Sequence, residues 1–100
     1  MAHLQQFPSE LWGADRFDRL SGIQKLIVIH ALTCPESVGD AEYELFIGKI
    51  SYRIGVDNSL IRGVIKPLIN DYPGCFALDA SEIDVTTDPE RLKELLLRKL

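Results

Sequence analysis

The chain has 100 residues, 46% of them apolar, and a formal net charge of −4, because 15 acidic residues outnumber 11 basic ones. This length and composition indicate one folded domain and argue against a disordered chain or a general nucleic-acid coat protein. The longest apolar run, residues 26–32, is far shorter than the roughly 20 residues that a transmembrane helix needs. The first residues lack the basic start and apolar core of a signal peptide, so we expect a cytoplasmic protein without membrane contact.

The N-terminal arm, residues 1–14, carries three bulky apolar side chains close together. Phe7, Leu11 and Trp12 are expected to dock on the core, with a short helix in this stretch that Ser9 would cap. The alternative is a peptide-binding role for Trp12, which the burial statistics of aromatic residues disfavour.

The first long helix is expected to end near Thr33, and its start is open between two positions. The segment Ser21-Gly-Ile-Gln24 has the form of a capping box, which would begin the helix there. Phe17 and Leu20 continue the same apolar period, which would move the start to about Asp15. The broad apolar face that follows is typical of a well-covered central helix.

A second helix is expected after a polar loop, with Asp40 as its cap and Glu42 and Glu44 in the first turn, where the helix dipole favours acids. Gly55 then interrupts the apolar period at a point where a turn can use a positive φ. The residues expected to face inward are Tyr43, Phe46, Ile47, Ile50 and Ile54.

The third helix is expected over residues 58–70, with Asp57 or Asn58 as its cap. Inside a helix the ring of Pro67 would clash with the carbonyl of Gly63. The sequence therefore predicts either a kink at this point or a helix end near Lys66. The apolar period of this helix consists of Ile61, Val64, Ile65 and Leu68.

A β-hairpin and a last helix complete the chain. Residues 75–78 and 83–86 are expected as two short strands, separated by a turn that carries Asp79 and Glu82. Asp88 followed by Pro89 is a typical helix start, so residues 88–100 are expected to form a C-terminal helix. Its leucines exceed what one face of a short helix needs, so we expect a homodimer through Leu92, Leu96, Leu97 and Leu100.

The stretch from Ile47 to Lys66 resembles the helix-turn-helix motif of DNA-binding regulators. Ser51 stands where the motif has a small residue, Gly55 where it has glycine four residues later, and Val56 where it has an apolar residue. A hairpin directly after such a motif is what the winged subclass has. The resemblance implies a single winged helix-turn-helix domain over residues 1–100, mainly α with a small β-hairpin, in the order α-α-α-β-β-α. It also implies a buried cluster between the two helices, formed by Ile50, Ile54, Val56, Ile61 and Val64.

In that family the outward face of the third helix enters the major groove of double-stranded DNA. The corresponding stripe here consists of Ser59, Arg62, Gly63, Lys66 and Asn70. The resemblance implies that Arg62 reads a base edge and Lys66 contacts phosphate. The alternative is that both charged side chains only solvate an exposed helix face. Further DNA contacts are implied for Asn58 on the same helix and for Lys49, Tyr52 and Arg53 on the preceding one.

Residues with catalytic or metal-binding chemistry do not form a recognisable set. His30 and Cys34 are four residues apart and could share a helix face, but no third group supports them as a metal site or a nucleophile pair. Cys34 and Cys75 fit two reduced thiols better than a disulfide scaffold. We therefore expect no enzyme activity, no catalytic residue, no bound metal and no cofactor.

Two hypotheses for the function remain. The first is a DNA-binding transcriptional regulator that reads the major groove with the helix at residues 58–70. The second is a winged-helix protein-interaction module without DNA binding, such as an adaptor, a complex subunit or a small inhibitor, which the net charge and the acidic hairpin favour. The acidic segments 36–44 and 79–90 are either solvated surface or a docking face for a basic protein partner, and the sequence does not separate these alternatives. The sequence leaves open whether the chain is a fragment of a longer protein.

Overall fold

Five α-helices and a three-stranded antiparallel sheet make up the computed structural model, which describes residues 7–37 and 41–98. The helices are α1 (Asp15–Asp18), α2 (Gly22–Thr33), α3 (Ile47–Ile54), α4 (Asn58–Asp71) and α5 (Pro89–Leu97), and a short 3-10 helix, Ser9–Gly13, precedes them. The strands are β1 (Tyr43–Phe46), β2 (Phe76–Leu78) and β3 (Asp84–Thr87). The expectation of a mainly α fold with a small β element is confirmed.

The sheet has the order β1-β3-β2, so β3 lies between two end strands. β1 pairs with β3 in a register that sets Tyr43 opposite Thr87 and Phe46 opposite Asp84. One step further, the Ile47 N–H donates to the Ile83 carbonyl at 2.8 Å and extends the ladder to the start of α3.

The segment between Asp40 and α3 was expected to be helical, with Glu42 and Glu44 in the first turn, and this expectation is wrong because residues 41–46 are not helical. Tyr43–Phe46 is strand β1, and α3 begins only at Ile47. Phe46 is 61% exposed, so it does not face inward as expected. The strand forms because its backbone bonds to β3, about forty residues later in the chain, a partner that no local pattern announces. The expected cap, Asp40, lies outside the described residues.

The core lies between the helices and the inner face of the sheet. Ile50 and Ile61 of the predicted cluster are buried, whereas Ile54, Val56 and Val64 are partly buried and pack against the core. The side chains with less than 2% exposure include Leu11, Phe17, Ile27, Val28, Ile47, Ile65, Leu68, Val85, Leu92 and Leu96.

The helix boundaries follow the capping signals closely. The Ser21 hydroxyl accepts from the Gln24 N–H, and the Gln24 side chain accepts from the Ser21 N–H, so the capping box begins α2. The residues near Asp15 form the separate short helix α1. α4 continues through Pro67 to Asp71 and does not end near Lys66.

The N-terminal arm forms a 3-10 helix whose N-cap is Pro8, without a side-chain capping bond, so the expected Ser9 cap is wrong. Leu11 is fully buried, but Trp12 remains 61% exposed. The Trp12 ring lies beside the rings of Phe7 and Phe17, at centroid distances of 5.1 and 5.5 Å. Trp12 therefore docks on the core through one side only.

In α5, Asp88 is the N-cap and accepts from the Arg91 N–H, and Pro89 is the first helical residue, as expected. Leu92 and Leu96 are completely buried by their own chain, so the expectation that they meet a second subunit is wrong. They fill the core because α5 packs against α1, α2 and the N-terminal 3-10 helix. Leu97 is 41% exposed, and Leu100 lies outside the described residues.

Candidate interaction surface

The turn between α3 and α4 fixes the direction in which α4 presents its outer face. Gly55 adopts φ 71°, a left-handed conformation, and its N–H donates to the Ser51 carbonyl at 2.9 Å. The Ser51 hydroxyl donates to the Val56 carbonyl at 2.6 Å, so a small polar residue here closes the turn. The Asp57 carboxylate accepts from the Ser59 N–H and caps α4. Hydrogen bonds from the side chain and the backbone of Ser59 lower the pKa of Asp57.

The outer face of α4 carries the predicted stripe. Ser59, Gly63, Lys66 and Asn70 are exposed along it, and Arg62 is half-buried. Asn58, at the first helical position, is also half-buried. Sequence reasoning therefore identified one continuous polar face correctly.

Both cations of the stripe contact one residue of the hairpin, Glu82. The Arg62 Nε donates to the Glu82 backbone carbonyl at 3.0 Å. The Lys66 Nζ lies 2.8 Å from the Glu82 Oε1. Because Glu82 supplies a carbonyl and a carboxylate, it opposes the positive charge of both side chains at the point where a phosphate would have to approach.

The hairpin turn is held in place by Asp79. Its Oδ1 accepts from the N–H groups of Ile83 and Asp84 at 2.9 and 3.1 Å, and its Oδ2 accepts from the Ser81 hydroxyl at 2.6 Å. These bonds favour the carboxylate and lower the pKa of Asp79. The turn holds Glu82 at φ 58°, a conformation that residues other than glycine adopt rarely. The backbone thus directs Glu82 toward α4 at a conformational cost.

The cations of α3 have an analogous partner in Glu36. Arg53 makes two bonds to the Glu36 carboxylate, at 2.6 and 3.0 Å, and the Lys49 Nζ lies 3.5 Å from it. The bonds from Arg53 lower the pKa of Glu36 to about 2. Arg53 also contacts the His30 Nε2 at 3.3 Å, and burial together with this guanidinium lowers the pKa of His30.

Exposed apolar side chains lie on the same elements. Tyr52 of α3 is 90% exposed, Phe46 at the end of β1 61%, Leu60 of α4 52%, and Ile83 at the hairpin 51%. Tyr52 was expected to contact DNA, and its ring does stand clear of the rest of the chain. Phe46, Leu60 and Ile83 were not expected as surface residues, because their apolar character is usual for core positions.

The charge balance of this surface is negative despite the four predicted cations. We define the α3–α4–hairpin face as α3 and α4 with their N-caps, Phe46 and Asp57, together with the hairpin and Glu36. Its four cations stand against six carboxylates, which leaves a formal charge of −2. The cations are Lys49, Arg53, Arg62 and Lys66, and the carboxylates are Glu36, Asp57, Asp71, Asp79, Glu82 and Asp84.

Comparison of the chain with protein-family models, with curated proteins and with solved structures gives no match. The function must therefore be inferred from the geometry of the chain itself.

The two side chains considered for other chemistry, His30 and Cys34, have different partners. His30 contacts Arg53, whereas the Cys34 Sγ donates to the Tyr43 hydroxyl at 3.3 Å. Burial and the neighbouring Cys34 raise the pKa of Tyr43, and burial raises the pKa of Cys75 to about 11. In residues 7–37 and 41–98, no group of three or more His, Cys, Asp or Glu side chains could hold a metal ion. No helix in these ranges is long and apolar enough to cross a membrane.

Sequence reasoning missed the role of Glu36 and only partly anticipated that of Glu82. Glu82 was noted as part of an acidic hairpin tip, but its contact with α4 depends on the left-handed backbone at this residue. Glu36 contacts the side chains of Lys49 and Arg53, which follow it in the chain by 13 and 17 residues. No local spacing signals such a pair.

Proposed function

We propose that this chain is a winged helix-turn-helix domain that binds another protein through its α3–α4–hairpin face. The fold assignment rests on the order of elements. The elements follow one another as helix α2, strand β1, helices α3 and α4 joined at the left-handed Gly55, and the hairpin of β2 and β3. Strand β1 joins this hairpin in one sheet. This order includes the strand β1, which the sequence pattern alone had not supplied.

The observation that carries the functional proposal is the contact of Glu82 with both cations of the α4 stripe. DNA binding gains most of its affinity from cations that neutralise phosphate and release counterions. Here the same cations already face a carboxylate and a carbonyl, and the whole face has a formal charge of −2. A phosphate backbone would have to displace Glu82 and approach the carboxylates of the hairpin.

The exposed apolar residues favour a protein as the alternative partner. Aromatic side chains are enriched at protein interfaces, where they provide most of the buried apolar area. Tyr52 at 90% and Phe46 at 61% exposure are of this kind. A tyrosine hydroxyl can also donate to phosphate, whereas Phe46 has no hydrogen-bonding group for a sugar-phosphate backbone, so the exposure of Phe46 is the observation that favours a protein.

DNA binding is the second candidate, and the exposed polar stripe on α4 favours it. The ion pair between Lys66 and Glu82 is solvent-exposed, and such pairs contribute only about 0–1 kcal/mol, so a strong competitor could open it. In that case Arg62→Ala should weaken binding by about 1–3 kcal/mol and relax preference at one base pair. Lys66→Ala should weaken binding to all sequences alike.

Fluorescence anisotropy with random-sequence duplex DNA across a salt series separates the two candidates. We expect no salt-dependent binding by the wild type and none by Glu82→Gln, since the remaining carboxylates still oppose phosphate. A wild type that binds with a steep salt slope, reduced by about one unit in Lys66→Ala, would refute the protein-interaction proposal. Binding that begins only in Glu82→Gln would show that this one residue prevents DNA binding.

The positive test is selection of binding peptides from a random library against the wild type. The selected peptides should lose affinity for variants in which exposed apolar residues of the face are replaced, such as Tyr52→Ser, Leu60→Ser and Phe46→Ser. Trp12→Ser is the matched control, because Trp12 is also 61% exposed but belongs to the N-terminal arm. Peptides that depend on Trp12 alone would point to the arm and contradict the proposed face.

A further inference from the structure

Among the described residues, no strand pairs with the outer edge of β1. β1 is an end strand, and within residues 7–37 and 41–98 only β3 pairs with it. An end strand presents backbone N–H and C=O groups on its outer side, and an extended segment of another protein can bond to them as an added strand. Because β1 is an end strand, a partner could bind by strand addition, in which neither protein contributes a helix.

The side chains of β1 alternate between the core and the surface. Tyr43 is half-buried and Leu45 is buried, whereas Glu44 and Phe46 are exposed on the other side of the strand. Phe46 stands opposite Asp84 in β3, and Glu44 stands opposite Thr86. The outer face of the sheet thus combines one large apolar side chain with carboxylates on its own strand and on the next.

A cleft of about 270 Å³ lies beside β1, where Phe46 and Asp84 stand opposite each other. It is lined by Glu36, Glu44, Leu45, Phe46, Lys49 and Asp84. Three carboxylates therefore line the cleft beside Phe46. The Glu36 carboxylate is already paired with Arg53 and Lys49, so the carboxylates of Glu44 and Asp84 are the ones that can receive further positive charge. A cleft with this lining is complementary to positive charge that flanks an apolar side chain.

We propose that an extended basic segment of the partner protein adds to β1 as a fourth strand and covers Phe46. This inference rests on the proposed protein-interaction function and names the chemistry of the partner. Side chains directly opposite one another on neighbouring strands interact, and opposite charges there are favourable. The partner therefore carries a lysine or arginine opposite Glu44 and, two residues away, an apolar side chain opposite Phe46.

A second copy of this chain is a poor occupant of the same edge. Pairing of two β1 strands would bring the Glu44 and Asp84 carboxylates of both copies to one sheet face. Like charges on neighbouring strands are destabilising. The charge of the edge thus selects a basic partner over self-association.

The test uses an octapeptide with blocked ends in which lysine and tyrosine alternate on one face and threonine occupies every second position. We expect the peptide to shift the backbone amide NMR signals of Tyr43–Phe46 in the 100-residue chain. Affinity should fall at least tenfold for Phe46→Ser and for Glu44→Lys. Trp12→Ser is the matched control and should bind normally, because Trp12 is 61% exposed, like Phe46, but belongs to the N-terminal arm.

Two altered peptides test the two parts of the proposal. Replacing the lysines with glutamates should abolish binding, because the cleft is acidic. Methylating alternate backbone nitrogens should abolish it as well, because the added strand then loses its donors toward β1. Binding that survives methylation, or amide shifts confined to α3 and α4, would overturn this inference while leaving the protein-interaction proposal intact. Steep salt-dependent binding to duplex DNA would instead refute that proposal.

Discussion

Replacing Gly55 with alanine tests the turn on which the α3–α4–hairpin face depends. The residue adopts φ 71°, and a Cβ added there would meet no atom within 4 Å. The substitution therefore adds no steric overlap with neighbouring elements. Its effect should come from the backbone alone, since residues with a Cβ adopt the left-handed conformation at a cost of about 1–2 kcal/mol.

Gly63→Ala is the matched control on the adjacent helix. A Cβ at this position also meets nothing within 4 Å, but Gly63 has ordinary helical geometry within α4. Alanine in a helix interior is more favourable than glycine by roughly 0.5–1 kcal/mol. The same chemical change should therefore destabilise the protein at position 55 and stabilise it at position 63.

Thermal unfolding followed by circular dichroism measures the difference. A change of 1 kcal/mol shifts the midpoint of a domain of about 100 residues by roughly 4–8 °C. We expect the Tm to fall by about 5–15 °C in Gly55→Ala and to rise by about 2–8 °C in Gly63→Ala. An unchanged Tm in Gly55→Ala would refute the left-handed turn. A lower Tm in Gly63→Ala would mean that glycine is needed four residues before Pro67 to relieve the clash with its ring.

Three further results are expected from the ion-pair network and from α5. Glu36→Gln should lower the free energy of unfolding by about 1 kcal/mol at neutral pH, because solvent screens a pair that is partly exposed. Since folding lowers the Glu36 pKa from 4.5 to about 2, the wild-type advantage should be complete above pH 4.5 and disappear as the pH falls toward 2 in urea titrations. Folding also lowers the pKa of His30 below 6.5, so the NMR titration midpoint of His30 should lie below that value. The protein should lose stability as the pH falls from 6.5 through this midpoint, because the folded state disfavours the protonated imidazole. A midpoint above 6.5 would contradict the contact with Arg53. Of the described leucines in the predicted dimer contact, Leu97 alone is exposed. Sedimentation at high micromolar concentration should therefore show a dimer that dissociates in Leu97→Ser. A monomeric wild type would exclude this contact.

Local signals in the sequence predicted the boundaries that local bonds determine. The capping box at Ser21, the glycine at position 55 and the Asp88-Pro89 pair each act through atoms within a few residues. Their effect can therefore be read without knowing the tertiary structure. The hairpin strands were predicted to within one residue for the same reason, because a turn separates them directly.

The elements that were missed depend on partners far away in the chain. Tyr43–Phe46 was assigned to a helix because its residues fit the apolar period that Ile47 and Ile50 continue, whereas β3 determines its conformation. Leu92 and Leu96 were expected at a subunit interface because the core surface available to α5 could not be known from its own sequence. The positions of Arg62 and Lys66 on one face were predictable from helical spacing, but their contact with Glu82 was not.

The pairing of β1 with β3 has a consequence for how the module moves. The chain leaves β1 at Ile47, passes through α3, α4 and β2, and reaches β3 just after Ile83, and a backbone bond of 2.8 Å joins Ile47 and Ile83. α3, α4 and β2 therefore lie within one loop whose two ends this bond holds together. We expect amide hydrogens throughout this loop to exchange together, as one cooperative unit. A partner would then bind a surface that is already ordered. Binding would therefore not require the free energy of ordering this surface, and the affinity would be higher for that reason.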